Sequence, residues 1–177
     1  MDFTKISWQE LEKDCISLSQ KLKDKQIDEI LSISRGGMVV ARILSDLLAL
    51  PICHMTITTY DHMQQLKEPM ITEFPIKSLT NKTVLLVDEV SDTGKTFHKA
   101  LEHLHSLSLQ QIYTVSPYIK PHTTYTPDFW QTSIDAWIVF PYDLRETKES
   151  LTKLFGSEKQ AVEKMRELGF ADWEIEY

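Results

Sequence analysis

Residues 84–96 read VLLVDEVSDTGKT, and this stretch decides the fold. The four residues 84–87 are apolar, with a β-branched residue at each end, which predicts a short strand buried on both faces of a parallel sheet. Asp88 and Glu89 follow directly. Unpaired carboxylates are costly to bury, and the ligands of open α/β sheets bind beyond the carboxyl ends of the strands. We therefore expect the two acids to belong to a binding site.

The second half of this stretch predicts a phosphate site. Residues 93–96, TGKT, lead into a run whose apolar residues recur at helical spacing: Phe97, Ala100, Leu101, Leu104 and Leu107. Such a turn presents free N–H groups and the positive end of the helix dipole to a bound phosphate. It is not a Walker A loop, which needs a second glycine five residues before Gly94. The unit thus offers carboxylates for a metal or for sugar hydroxyls, one further carboxylate at Asp92, and a phosphate site.

Composition and charge restrict the class of protein. The chain has 177 residues, of which 42% are hydrophobic and 25% charged, as in an ordinary globular domain. No apolar run approaches the roughly 18 residues that a membrane span needs, and the N-terminus lacks the form of a signal peptide. We therefore expect a cytoplasmic protein with no membrane partner, in which Cys15 and Cys53 are buried free thiols. The net charge of −7 argues against a nucleic-acid partner.

Strand and helix patterns alternate along the chain, which predicts the α/β class. We expect helices from the Ser7–Glu10 capping box to about residue 23 and over 38–50, strands over 27–33, 52–60 and 112–115, and two further helices over 146–155 and 158–168. Residues 61–77 are polar, contain Pro69 and Pro75 and show no clean period, which predicts a long mobile lid.

The turn Arg35-Gly36-Gly37 is the second informative feature. It follows the predicted strand 27–33, and its two glycines permit unusual backbone angles and close approach of a ligand to main-chain N–H groups. Arg35 adds a bidentate donor for phosphate. By itself, the turn fits a purely structural strand exit equally well.

The stretch 84–96 resembles the signature of the type I phosphoribosyltransferases that binds 5-phosphoribosyl 1-pyrophosphate (PRPP). The shared pattern is an apolar strand, two acids, two residues and then Asp-Thr-Gly-x-Thr. The resemblance covers about residues 7–143 and implies a doubly wound, mainly parallel sheet with a small hood, built from residues 120–142 with a contribution from the N-terminus. A helical C-terminal extension over about 144–177 completes what we expect to be a single domain, residues 1–177.

The resemblance also implies roles for the PRPP site. Asp88 and Glu89 would bind the ribose hydroxyls and Mg²⁺. Asp92 would act as general acid or base at the purine N7. The 5-phosphate would be bound by the turn at Thr93, Gly94, Lys95 and Thr96.

The turn at residues 35–37 resembles the pyrophosphate loop of the purine enzymes. Arg35, Gly36 and Gly37 would then bind PRPP, with a strained peptide between Arg35 and Gly36. Lys67 would either reach the pyrophosphate when the lid closes or lie in a solvated surface loop.

Two later segments resemble the base-binding residues of bacterial xanthine–guanine phosphoribosyltransferases: a Lys-Pro pair at residues 120–121 and a Trp-Ile…Pro-aromatic-Asp pattern at 137–143. This implies that Lys120 meets the purine 6-oxygen, that Trp137 stacks on the ring and that the backbone at Ile138 pairs with the 2-position. Residues 139–140, Val-Phe, replace two polar residues of those enzymes, which leaves a xanthine preference open.

The implied activity is Mg²⁺-dependent transfer of ribose 5-phosphate from PRPP to guanine, hypoxanthine or xanthine in purine salvage, by a homodimer or homotetramer. Two alternatives remain from the sequence. One is a regulator on the same fold that senses PRPP or binds RNA. The other is an enzyme for orotate or adenine, although adenine enzymes usually carry Ala where Asp92 stands.

Overall fold

The computed structural model describes residues 2–61 and 64–176. The chain divides into two compact units. Residues 12–133 form one, which we call the sheet unit. Residues 2–11 and 134–176 form the other, which we call the terminal unit because it contains both ends of the described chain.

Sixteen helices and strands are assigned within the described residues. In chain order they are β1 (Phe3–Lys5), α1 (Trp8–Leu22), β2 (Glu29–Ser34), α2 (Gly37–Leu48), β3 (Ile52–Asp61), β4 (Gln64–Glu73), β5 (Thr83–Val87), β6 (Val90–Ser91), α3 (Lys95–His105), β7 (Gln111–Val115), β8 (Tyr118–Ile119), β9 (Thr132–Ser133), β10 (Trp137–Val139), α4 (Leu144–Phe155), α5 (Glu158–Glu167) and α6 (Asp172–Ile175).

The sheet unit is built on five strands in the order β4-β3-β2-β5-β7. All neighbouring pairs are parallel except β3–β4, which is antiparallel. Every residue of β5 is buried, as predicted for residues 84–87, because the helices of a parallel sheet cover both of its faces. The predicted α/β class with a mainly parallel sheet is confirmed.

Helix α3 packs on one face of this sheet. Its residues Phe97, Ala100 and Leu104 are buried, as their spacing predicted. They share a hydrophobic core with alternate residues of the central strands: Leu31, Ile33, Met55, Ile57, Val84 and Leu86. Helix α2 contacts β2, β3 and β5. Both helices therefore pack against the strands beside β5, and α2 also contacts β5 itself.

The predicted mobile lid over residues 61–77 contains a strand that the sequence pattern did not predict. Residues 64–73 form β4, which pairs antiparallel with β3. Pro69 is compatible with this strand because β4 lies at the edge of the sheet and its pairing with β3 is irregular between Met70 and Gln65. Residues 62 and 63 of the predicted lid lie outside the described residues, and the lid's mobility stays a prediction.

The terminal unit joins the start of the chain to its C-terminal extension. Strand β1 pairs in parallel with β10, with Phe3 opposite Trp137. Val139 and the helices of the extension form a separate hydrophobic core: Val139, Leu151, Ala161, Met165, Phe170 and Ile175. The extension therefore shares its core with β10, the strand that carries the predicted base-binding residues Trp137 and Ile138. The organisation of the chain as a single domain stays a prediction.

Local signals within these elements behave as the sequence indicated. Glu10 and Ser7 form the reciprocal capping box of α1, and Ser157 caps α5 by accepting from the Gln160 N–H. Both cysteines are free. Cys15 is fully buried, as predicted, but Cys53 is only partly buried, so the prediction of a buried thiol there was wrong. Burial raises the pKa of the Cys15 thiol to about 12. No described helix is both long enough and apolar enough to cross a membrane.

Candidate active site

The acid pair lies at the carboxyl end of β5, in the middle of the parallel sheet. The Asp88 N–H donates to the carbonyl of Val115 at 3.1 Å, which fixes the acid pair beside the end of β7. Asp88 is only 7% exposed. Burial raises the pKa of its carboxyl well above its usual range, and the charge of Glu89 adds to the shift. Two adjacent carboxylates in this position favour the arrival of a positive charge.

The turn at residues 35–37 lies directly against this acid pair. A Cβ on Gly36 would overlap the carboxylate of Glu89, and a Cβ on Gly37 would lie 2.6 Å from the carbonyl oxygen of Val87. Gly37 is therefore required by close approach to the backbone at the end of β5, whereas a larger residue at position 36 would displace the Glu89 carboxylate. One oxygen of Glu89, Oε2, is buried and has no hydrogen-bond partner among the described residues. A buried unpaired carboxylate oxygen is unfavourable unless a ligand satisfies it.

The cis peptide of this turn is one residue away from the predicted place. The peptide between Ser34 and Arg35 is cis, whereas the prediction put the unusual peptide between Arg35 and Gly36. Gly36 itself has ordinary right-handed helical angles and precedes the first residue of α2. A Cβ at position 36 is opposed by the neighbouring Glu89 carboxylate and not by an unusual backbone angle, and the sequence does not show this contact.

The predicted phosphate turn lies at the start of α3. Gly94 precedes the helix with a left-handed φ of 83° and, as a glycine, supplies no side-chain cap. Its missing Cβ is also needed for packing, because a Cβ there would lie 2.7 Å from the Tyr125 nitrogen. The Lys95 N–H donates to the hydroxyl oxygen of Thr93 at a long 3.4 Å. The N–H groups of the first turn that the sequence predicted for phosphate therefore receive no cap from the N-cap residue itself.

A second segment of the sheet unit runs alongside this loop. Strand β6 pairs with β8, and the Lys120 N–H donates to the Ser91 carbonyl at 3.0 Å. One residue further on, Asp92 is 57% exposed, and its Oδ1 lies 3.1 Å from Nε2 of His122. The structure therefore brings Asp92 close to the backbone of Lys120, as a base site formed by both would require.

The sequence did not identify His122 as a site residue. The only local signal is Pro121, which favours the second position of a turn and so indicates that His122 lies at the turn's tip. The Thr123 N–H closes this turn by donating to the Lys120 carbonyl at 3.1 Å. The partner of His122 lies 30 residues earlier in the chain, beyond the reach of any local pattern.

Three predicted residues remain: Lys67, Trp137 and Ile138. Lys67 lies in β4, and its side chain is outside the described part of the structure. Trp137 and Ile138 belong to the terminal unit. There Trp137 is half exposed and lines an apolar pocket of about 180 Å³ together with Phe3, Val139, Thr147, Ser150, Leu151 and Leu154. The roles of Trp137 and Ile138 at the base stay predictions.

Comparisons with known proteins agree on one family. The family model described as "Phosphoribosyl transferase domain" matches residues 7–147. A xanthine-guanine phosphoribosyltransferase of Idiomarina loihiensis is 28% identical over 141 residues, which cover 78% of this chain and 86% of that protein. The solved purine phosphoribosyltransferase of Pyrococcus horikoshii is 32% identical with a TM-score of 0.73, over 80% of this chain and 95% of that one. A xanthine-guanine-hypoxanthine phosphoribosyltransferase of Helicobacter pylori, 24% identical, shares the fold with a TM-score of 0.70 over 83% and 99% of the two chains.

Proposed function

The chain belongs to the phosphoribosyltransferase family, in its purine branch, and we propose that it transfers ribose 5-phosphate from PRPP to a 6-oxopurine in purine salvage. The single observation that carries the choice of base is the hydrogen bond from the Lys120 N–H to the Ser91 carbonyl. Because of it, Asp92 and Lys120 extend from adjacent backbones. The N7 and the 6-oxygen of a purine lie side by side on one edge of the ring, so two neighbouring groups can serve both.

The chemical problem is to let pyrophosphate leave C1 of the ribose, which gains positive charge as the bond breaks. Hydrogen bonds and positive charge on the leaving group lower this barrier. Arg35 is the exposed cation of the turn next to the acid pair, and we assign it to the pyrophosphate. The N–H groups at the start of α3 hold the 5-phosphate, which fixes the position of C1 relative to the base.

Mg²⁺ fits the acid pair, although the described residues contain no cluster of three or more His, Cys, Asp or Glu side chains placed to hold a metal ion. Mg²⁺ commonly binds through one or two carboxylates and completes its shell with water and substrate phosphates. Asp88 and Glu89 supply such a pair, and the buried unpartnered oxygen of Glu89 is a suitable donor. When bound, Mg²⁺ would neutralise charge on the pyrophosphate.

Asp92 accepts the proton that the base loses. As N9 bonds to C1, the N7–H bond breaks, its electron pair stays in the purine ring and a carboxylate oxygen of Asp92 takes the proton. Lys120 donates to the 6-oxygen and has no acceptor to offer an amino group. A site built around such a hydrogen bond rejects the analogue that lacks its partner by roughly 10⁴–10⁵-fold.

The test is an assay of pyrophosphate release with PRPP and each of guanine, hypoxanthine, xanthine, adenine and orotate. We expect turnover with one or more of the three 6-oxopurines and none with adenine. Lys120→Ala should lower kcat/KM for the 6-oxopurines, whereas Lys23→Ala, which removes an exposed lysine of the same unit, should not. Use of adenine by the unaltered protein, or full 6-oxopurine activity in Lys120→Ala, would remove Lys120 from the base site.

A further inference from the structure

The imidazole of His122 contacts the carboxylate that we assign to proton transfer. Nε2 of His122 lies 3.1 Å from Oδ1 of Asp92. An ionised carboxylate only accepts hydrogen bonds, so the proton of this contact is on Nε2. One oxygen of Asp92 is thereby engaged, and the other is left for the base.

The backbones that carry these two side chains are joined on both sides of the contact. The Ser91 carbonyl accepts from the Lys120 N–H at 3.0 Å, and the Thr93 carbonyl accepts from the Thr124 N–H at 3.2 Å. The hydroxyl of Thr124 donates to the same Thr93 carbonyl at 2.7 Å. The positions of Asp92 and His122 are therefore set by hydrogen bonds of their chain neighbours, and the contact between their side chains adds only the choice of side-chain orientation.

This contact has little to contribute to stability. The side chains of Asp92 and His122 are 57% and 60% exposed, and exposed ion pairs are typically worth only about 0–1 kcal/mol. The contact has a larger effect on the orientation of the Asp92 side chain. An aspartate without a partner distributes over about three staggered χ1 wells, whereas one held by His122 favours a single well.

We propose that His122 is a positioning residue, which holds the carboxylate of Asp92 in the orientation that takes the N7 proton; this inference rests on the proposed function. During the transfer, the N7–H bond breaks and an O–H bond forms on the free oxygen of Asp92. His122 keeps its own proton and continues to donate it to Oδ1. The effect is therefore on the fraction of bound complexes that are ready to react, and not on the affinity for PRPP.

The experiment compares kcat, KM for each substrate and melting temperature in five variants and the unaltered protein. His122→Ala removes the donor, His122→Gln keeps an N–H donor on a side chain of similar reach, and Asp92→Asn removes the proton acceptor. His98→Ala is the matched control, because the His98 ring lies 3.3 Å from the carbonyl of Thr124, two residues after His122, and His98 forms no hydrogen bond to Asp92 among the described residues. The fifth variant combines His122→Ala with Asp92→Asn.

We expect Asp92→Asn to lower kcat by about 10²–10⁴-fold and His122→Ala to lower it by roughly 10-fold, since misplacing a reacting group costs up to about 10²-fold. In His122→Ala, KM for PRPP and the melting temperature should stay unchanged. His122→Gln should recover most of the loss, and His98→Ala should remain near the unaltered protein. A merely structural role would lower the melting temperature and would not be rescued by Gln.

The combined variant separates the failure of this inference from the failure of the proposed function. If His122 acts through Asp92, adding His122→Ala to Asp92→Asn should cause no further loss. Losses that multiply, or a kcat in His122→Ala equal to that of the unaltered protein while Asp92→Asn is slow, would overturn the positioning role and leave the proposed function standing. Normal turnover in Asp92→Asn, or an unaltered protein inactive with all five bases, would overturn the proposed mechanism and this inference with it.

Discussion

Replacing Gly37 by alanine tests whether close approach, and not backbone freedom, explains the double glycine at the acid pair. Gly37 is the first residue of α2 and does not have a left-handed φ. Helix propensity alone therefore predicts that alanine stabilises the protein by up to about 1 kcal/mol. The packing predicts the opposite, because the new Cβ would lie 2.6 Å from the Val87 carbonyl oxygen and 3.0 Å from the Asp88 Cα.

The magnitude follows from the atoms that oppose the methyl group. Both are backbone atoms of the central strand and its exit, which cannot rotate aside as a side chain can. Overpacking of this kind costs typically about 1–3 kcal/mol. After a gain of about 1 kcal/mol in helix propensity, a net loss of about 1 kcal/mol in the free energy of unfolding remains at the middle of this range. For a chain of this length, that corresponds to a fall in melting temperature of roughly 2–4 °C.

The assay is a thermal melt without ligands, with Gly36→Ala as the matched control. The three heavy atoms nearest to the Cβ of that variant all belong to the carboxylate of Glu89, the end of a flexible side chain. We therefore expect a melting temperature near that of the unaltered protein but weaker PRPP binding, because Glu89 must turn away. A Gly37→Ala protein that melts at or above the temperature of the unaltered protein would refute the close-approach argument. Equal losses in the two variants would refute the distinction between backbone and side-chain neighbours.

Three further predictions concern the acid pair and the hydrophobic core of the terminal unit. Exhaustive EDTA treatment should abolish turnover and added Mg²⁺ should restore it, whereas full activity after EDTA would exclude Asp88 and Glu89 as a functional metal site. Asp88→Asn should raise the free energy of unfolding of the metal-free protein at neutral pH. Because folding raises the pKa of Asp88, the stability of the unaltered protein is complete only below about pH 4 and is progressively lost as the pH rises through the folded pKa. A gain in stability that persists at acid pH would contradict this cause. Met165 is fully buried in the terminal unit, and Met165→Ala should lower the free energy of unfolding in denaturant by about 2–5 kcal/mol. A loss no larger than that of Glu163→Ala, at an exposed position, would show that the extension is not packed as described.

The central strand, the acid pair and the helix that follows could be predicted because their signals are local. An apolar run such as residues 84–87 has few alternatives to a buried strand, and the spacing of Phe97, Ala100 and Leu104 fixes both a helix and its buried face. The family signature then gave these positions chemical roles that no periodicity contains.

Contacts between distant segments could not be predicted in the same way. The place of His122 depends on hydrogen bonds between two loops, and the need for glycine at position 36 depends on where the Glu89 carboxylate lies. Strand β4 was missed because two prolines and a polar composition obscured its pairing, and an edge strand tolerates both. In each case, the missing information was the identity of the neighbouring segment.

The pairing of β1 with β10 also sets an order of events during synthesis. Residues 3–5 are synthesised more than a hundred residues before their strand partner at 137–139. At about 5–20 residues per second, this delay is on the order of 10 s. The five strands of the main sheet all precede residue 116, so that sheet can assemble before β1 has a partner. Strand β1 therefore pairs only after all the strands of that sheet have been made.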